Sequence, residues 1–341
     1  MRAVLLTKFG GPEALELRDD VPAPEPAAGE VRLRVGAAAL NNTDVWTREG
    51  AYGSNVEEGA HTGWRREPFT FPRIQGADVV GRIDKVGEGV DACRIGQRVV
   101  VDPMIYTGGE RELVNTDYLG SERDGGFAEL VTVPATNAHV VDSALSDAEL
   151  ATFPTAYATA MRMLNRARLV AGEDILVTGA SGGVGSALVQ LAGARGATVF
   201  AVAGQGKAER VEALGARAVI GRDVVDIAAA LGRQVDVVAD VVAGAAFGRL
   251  LSALRPLGRY VVAGAIAGPQ ITADLRTVYL NQLEVIGSSF GSHDDFAAVL
   301  GLVESGAIKP LLSATYRLSE VGAAQAEFAG KGFFGKIVVT P

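Results

Sequence analysis

The rhythm of apolar and polar positions changes near Ser146. Before it, short runs such as MRAVLLT, EVRLRVGAAAL, DVVGRIDKVGEGV, QRVVVD and FAELVTVP are bounded by Gly, Pro and Asp. Such punctuated β-rich runs predict the strands of a small barrel or sandwich. VPAPEPAAGE reads as a short Pro-rich connector between two of them. After Ser146 helical and strand-like runs alternate: ATAMRMLNRARLV, DILVTGA, VGSALVQLAGARG, ATVFAVAG, KAERVEALGA, VDVVADVV, FGRLLSALRP, GRYVVAGA, LEVIGSSF. These strands are unbroken apolar runs, as a sheet covered on both faces requires. An α/β doubly wound parallel sheet follows. Beyond Phe290, DDFAAVLGLVESG reads as a helix, ATYRLSEVGAAQAEFAG as a strand and a helix, and KIVVTP as a strand. These fit a return to the first domain. The expected division is a mostly-β domain of residues 1–145 with 291–341, and a doubly wound domain of residues 146–290. No internal repeat or low-complexity tract interrupts it.

Within the second region ILVTGASGGVGSALVQLAGARG reads as strand, glycine turn and amphipathic helix. Gly182 and Gly185 permit close backbone approach, and the helix amino terminus offers free N–H groups to a pyrophosphate. Ala180, Ser181, Gly182, Gly183, Val184 and Gly185 are therefore candidate cofactor contacts. Ala180 stands where the usual dinucleotide fingerprint has its first glycine. The alternative is a tight turn that packs helix on sheet without a ligand.

The next strand, TVFAVAGQGK, ends in Ala203 and Gly204 rather than in a carboxylate that would hold a ribose 2′-hydroxyl. Lys207 follows closely, and Arg222 follows the third strand. Gly204, Lys207 and Arg222 favour a 2′-phosphate, hence NADP(H). On the other reading, Lys207 merely begins a solvated helix.

Totals narrow the class. The chain has 341 residues, 48% hydrophobic and 21% charged, enough for two domains with separate cores. A net charge of −8 argues against nucleic acid as a partner. Cys93 is the only cysteine, which suits a reducing compartment. The apolar stretch of the amino terminus, MRAVLLTKFGG, is too short for a signal peptide, and Asp236 and Asp240 break the longest candidates for a membrane span. A cytoplasmic location without membrane contact is expected.

The stretches NNTDVWTREGAYG, GADVVGRIDKVGEGVDACRIGQRVVV, DGGFAELVTVP, GASGGVG, GRYVVAGAIAG and GKIVV run nearly end to end. Together they resemble the medium-chain dehydrogenase/reductase superfamily, specifically its zinc-independent quinone oxidoreductase branch. The resemblance implies a GroES-like β domain, a Rossmann domain and an active site in the cleft between them. It also implies a homodimer, or a tetramer, assembled through the last Rossmann strand, LEVIGSSF. Zinc-dependent members hold catalytic zinc at positions that fall on Asn41, Ala77 and approximately Ala151 of this chain. Alanine has no donor atom, and an amide alone does not hold Zn²⁺. The stretch DPMIYTGGERELVNTDYLGSERDGG lacks the four cysteines of the family's structural zinc, and His61, His139 and His293 are scattered. No metal is expected.

Without a Lewis acid, unactivated alcohols are hard to oxidise, whereas quinones and enones accept hydride readily. Tyr52 lines up with the tyrosine resembling the proton donor of the family's enoyl-thioester reductases; it is alternatively a pocket wall or lid packing. Trp46 offers a face for stacking a quinone or nicotinamide, or is a core residue. Asn41 could orient a carbonyl oxygen in place of zinc, or form a turn, and Asp44 is expected to anchor the loop. Residues 54–73, with Trp64, Arg65 and Arg66, suggest a lid that receives acidic substrates, against a plain solvated loop. The resemblance adds Thr155, Gly264, Ala265, Ser288 and Lys336 as cofactor-side candidates. The expected function is an NADPH-dependent, zinc-free oxidoreductase reducing a small-molecule quinone or enone by hydride transfer from the nicotinamide. One alternative is an enoyl-thioester (enoyl-CoA/ACP) reductase with Tyr52 as proton donor. Another is a cofactor-binding but catalytically idle protein, crystallin-like or regulatory.

Overall fold

The computed structural model describes residues 1–52, 65 and 69–341. The chain divides into two compact units, Met1–Thr155 with Pro310–Pro341 and Ala156–Lys309. Both boundaries differ from the expected ones, for reasons visible in the side chains. Helix Asp147–Leu150 stays with the β unit because Asp147 takes Arg98 Nε at 2.7 Å. Helix His293–Glu304, expected in the first domain, belongs to the second, where Asn165 donates to Asp295. The return to the first unit begins only at Pro310.

In the first unit, strand Glu30–Ala39 is the centre of a seven-stranded sheet. It pairs antiparallel with Asp78–Val86, with Leu130–Pro134 and with the carboxyl-terminal strand Lys336–Thr340. Alternate residues such as Val31, Leu33 and Val35 enter the core with Ile83, Val99 and Ile337. The final strand, whose Val338 pairs with Ala39, thereby brings Lys336 to Asn41 and Asp78, near the start of the first long helix. That helix, Asn42–Glu49, was not foreseen: NTDVWTRE carries only Val45 and Trp46 as large apolar side chains. It ends at Gly50, whose φ of 66° supplies the left-handed cap.

In the second unit, six parallel strands lie in the order Ala218–Ile220, Thr198–Val202, Asp174–Val177, Val235–Asp240, Leu254–Val262, Glu284–Gly287. Numbered within this unit by sequence, the order is third, second, first, fourth, fifth, sixth, the doubly wound order that places ligands at the carboxyl ends of the first strands. Asp240 ties those ends together. It is fully buried and accepts from Thr178 Oγ1, from the Tyr260 hydroxyl and from the Val242 and Ala243 backbone.

Candidate active site and cofactor site

The polar centre of the β unit starts with Asn41. It is the residue before the first helix, yet its side chain makes no capping bond. Its backbone N–H instead goes to Asp44 Oδ2 at 2.7 Å, and its side chain turns to Lys336, whose Nζ donates to Asn41 Oδ1 at 2.6 Å. Lys336 Nζ also reaches Asp78 Oδ2 at 2.9 Å, and the other oxygen of Asp78 accepts Thr155 N–H at 2.9 Å. The Thr155 hydroxyl lies 3.1 Å from the hydroxyl of fully buried Tyr118. Asn41, Asp78 and Lys336 are all buried. Burying an ion pair is costly unless the remaining lone pairs are met, as they are here.

The Asn41 end of this hydrogen-bond network leaves one group unmet. Asn41 Nδ2 is buried and has no hydrogen-bond partner among the described residues. Leaving a buried amide donor unpaired costs about 1–3 kcal/mol.

A second set of bonds fixes the turn that precedes strand Asp78–Val86. Asp44 Oδ1 accepts Gly76 N–H at 3.1 Å, and Gln75 Nε2 donates to the Asp44 carbonyl at 2.7 Å. Gly76 has φ +98°, and a Cβ there would sit 2.7 Å from the Phe127 ring, so no side chain is tolerated. Burial is the main influence on Asp44 and pushes its carboxyl up to about 7, against the backbone N–H groups of Asn41 and Gly76, which pull it down. Asp44 is thus the loop anchor.

Ala77 follows, fully buried. Tyr52 lies half-buried just past Gly50, its ring 5.7 Å from that of Trp46 at 68° and its hydroxyl bonded to Thr43. Burial raises the Tyr52 phenol above its ordinary range, which keeps it protonated. Trp46 packs against the barrel core, half-buried. Arg65 donates to Asp117 at 2.7 Å. Trp64, Arg66 and His61, and with them most of the suggested lid, lie outside the described residues.

The donor set does not fit Zn²⁺. Ala77 and Ala151 offer methyl groups, and both oxygens of Asp78 are already committed. Among the described residues no three His, Cys, Asp or Glu side chains are grouped so as to hold a metal.

The glycine turn of the second unit has the shape a dinucleotide needs. Helix Gly183–Ala194 follows Gly182, and its first intrahelical bond runs from Ser186 N to Gly182 O. The N–H groups of Gly183, Val184 and Gly185 therefore lack intrahelical acceptors. Ala180 and Ser181 are buried behind the turn. A Cβ on Gly185 would meet the Gly179 carbonyl at 2.1 Å, whereas one on Gly182 would meet nothing nearer than 3.5 Å. The fold requires Gly185 to be glycine, whereas packing leaves room for a Cβ at Gly182.

At the end of strand Thr198–Val202, the Arg222 guanidinium lies beside Gly204, within 3.5 Å of where a Cβ would be. Burial, then Arg222 and then Arg210, hold the Lys207 ammonium below its ordinary value, so three cations crowd one strand end. Arg222 has no carboxylate partner among the described residues. Further along the sheet, Gly264 backs onto the Val241 carbonyl, Ala265 is half-buried, and the Ser288 hydroxyl is buried without a partner among the described residues. Thr155 and Lys336, expected on the cofactor side, are held by the polar chain of the β unit. Sequence reasoning missed Tyr118 and Thr43 altogether.

Residues 27–143 match the alcohol dehydrogenase GroES-like domain family and residues 183–305 the zinc-binding dehydrogenase family. The chain is 31% identical to a quinone oxidoreductase of Mus musculus, with 99% of this chain and 97% of that protein covered. The chain belongs to the medium-chain dehydrogenase/reductase superfamily and is quinone oxidoreductase-like. Other members of that superfamily show how far its chemistry spreads. An acryloyl-coenzyme A reductase of Metallosphaera sedula is 31% identical, and an NAD-dependent alcohol dehydrogenase of Sulfurisphaera tokodaii 30%, both over the full length of the two chains. A crystal structure from Sinorhizobium meliloti, described provisionally as an alcohol dehydrogenase, superposes with a TM-score of 0.96 at 55% identity, covering 100% of this chain and 96% of that one. This medium-chain dehydrogenase/reductase is accordingly an oxidoreductase that binds a nicotinamide cofactor. No helix among its described residues is long and apolar enough to cross a membrane.

Proposed function

We propose that the protein is an NADPH-dependent reductase of quinones or α,β-unsaturated carbonyl compounds that works without zinc. The observation that carries this reading is the unpaired Asn41 Nδ2, at a site whose other two metal positions hold Ala77 and Ala151 and whose Asp78 is already satisfied. When bound, NADPH supplies the hydride. The protein's residues do the rest. Asn41 Nδ2 donates to the substrate oxygen, which needs no metal because conjugation already makes the carbon electrophilic. The N–H groups of Gly183 to Gly185 hold the pyrophosphate, and Arg222 with Lys207 holds the 2′-phosphate.

The purified protein mixed with NADPH and a panel of quinones and enones should consume the reduced-nicotinamide absorbance. NADPH should also raise the melting temperature well above the shift given by NADH at equal concentration. Arg222→Ala should abolish that difference, a loss of about tenfold to a hundredfold in NADPH affinity. Cofactor binding without turnover of any panel member would defeat the reductase reading, and equal shifts with both cofactors would defeat the NADPH assignment.

Tyr52 supports a narrower second reading, reduction of an enoyl thioester. A phenol kept protonated by burial, close to the first helix, suits delivery of a proton to the α carbon. Tyr52→Phe would then lose most activity on enoyl-CoA while NADPH affinity stays the same.

A further inference from the structure

We infer that Lys336 is a positioning residue that locks the Asn41 amide as a donor, so that the site accepts only ligand oxygens able to take a hydrogen bond and favours those that gain negative charge. The inference rests on the reading of Asn41 as the substrate's donor and names the chemistry that donor selects.

The orientation of a side-chain amide is normally ambiguous, since its oxygen and nitrogen look alike. Here chemistry settles it. An ammonium carries three donors and no acceptor, so the Asn41 atom 2.6 Å from Lys336 Nζ is the oxygen. Both hydrogens of Nδ2 consequently face away from Lys336, on an atom that is buried and without a partner among the described residues. Lys336 cannot turn aside, because Asp78 holds it from behind and Thr155 N–H holds Asp78. Nor can the residue rotate as a whole, because Asp44 holds the Asn41 backbone N–H.

An amide fixed at both ends cannot flip to accept a hydrogen from an alcohol. It can only donate. The cation on its oxygen also draws electron density from the nitrogen and strengthens the N–H as a donor. A carbonyl or quinone oxygen becomes more negative as hydride arrives at the conjugated carbon, so the donor is stronger at the end of the step than at the start. Lys336 thus lends positive charge through an amide at the place where zinc-dependent relatives would use an ion.

Replacing Lys336 alone would strand the buried Asp78 carboxylate, so the test removes both charges together as Lys336→Met with Asp78→Asn. The amide oxygen of the new side chain can still accept Thr155 N–H. With a quinone acceptor, this pair variant should lower kcat by about tenfold to a hundredfold with the KM for NADPH unchanged. Asn41→Ala should lower kcat at least as far, and adding the pair to Asn41→Ala should cost nothing more. Effects that multiply would show that Lys336 does not act through Asn41 and would overturn the inference.

A second arm needs no turnover. In the presence of NADP⁺, 4-nitrophenol is titrated with the protein across pH and followed by its own absorbance. The wild type should bind the phenolate about tenfold more tightly than the phenol, and Asn41→Ala and the pair variant should lose that preference. Equal affinity for the two forms in the wild type, absence of binding, or a preference that survives Asn41→Ala would each overturn the assignment. A wild type that prefers phenolate yet reduces no quinone or enone would remove the reductase reading and leave the Lys336–Asn41 assignment standing.

Discussion

Asp44 shows how one residue can hold two segments and record the strain of doing so. Its oxygens accept backbone N–H groups from Asn41 and from Gly76, while burial raises its carboxyl from 3.8 to about 7. A carboxyl whose folded value is raised stabilises the fold fully below its unfolded value and loses that contribution as pH rises through the folded one. Between about pH 4 and 7 the folded protein therefore holds a proton that the unfolded chain releases. Relative to Asp44→Asn, wild-type stability should fall by roughly 2–4 kcal/mol across that window and stay level above it. Urea midpoints at half-unit pH steps measure the difference, and parallel curves for the two proteins would exclude Asp44 as the titrating group. At this scale the site was only partly legible. Asn41, Tyr52 and Trp46 lie in one stretch, NNTDVWTREGAYG, and could be found together. Lys336 is 295 residues from Asn41, and only the pairing of the last strand with Glu30–Ala39 brings them into contact. Tyr118 comes from a lobe with no periodic pattern and gave no signal.

The glycine turn separates what the fold needs from what the cofactor needs within a single element. Gly185→Ala would place a Cβ 2.1 Å from the Gly179 carbonyl, and since backbone cannot yield cheaply, about 1–3 kcal/mol of stability or more should be lost. Gly182→Ala meets no such contact, and φ −88°, ψ 175° suits alanine. Its melting temperature should barely move, while NADPH affinity, read by fluorescence titration, should fall at least about tenfold through intrusion on the pyrophosphate. Equal losses of stability in the two variants would contradict this division of labour. Elements of this kind were the most legible part of the chain, because a covered parallel strand demands a run of apolar residues and the ILV, VFAV and VVA stretches of these strands supply it. Helix Asn42–Glu49 escaped because its environment is the polar centre of the β unit, where a helix needs no apolar stripe. Helix His293–Glu304 was recognised as a helix but given to the wrong unit, since amphipathicity reveals that a face is buried and not which core receives it.

The parallel sheet of the second unit ends in an open edge among the described residues. Strand Glu284–Gly287 pairs with Arg259–Val262 on one side, and no strand of the described residues lies on the other. Val285 on that strand is 51% exposed, and the preceding helix leaves Leu275, Tyr279 and Leu280 at 71%, 63% and 69%. An apolar edge with unpaired N–H and C=O groups invites pairing and is ordinarily blunted by charge, by proline or by cover. Here Glu284 carries the only charge on the strand, and Arg168 takes it. A second copy of the chain would satisfy both needs at once: antiparallel addition of the same strand about a twofold axis would extend the sheet and bury the exposed side chains symmetrically. Sedimentation should therefore find a homodimer, and Val285→Lys should shift it to monomer with the secondary structure intact. Because dimerisation stabilises the folded state by mass action, the wild-type melting temperature should rise with protein concentration and that of Val285→Lys should not. A variant that sediments as the wild type does would place the interface elsewhere and leave this edge to be covered by some other means.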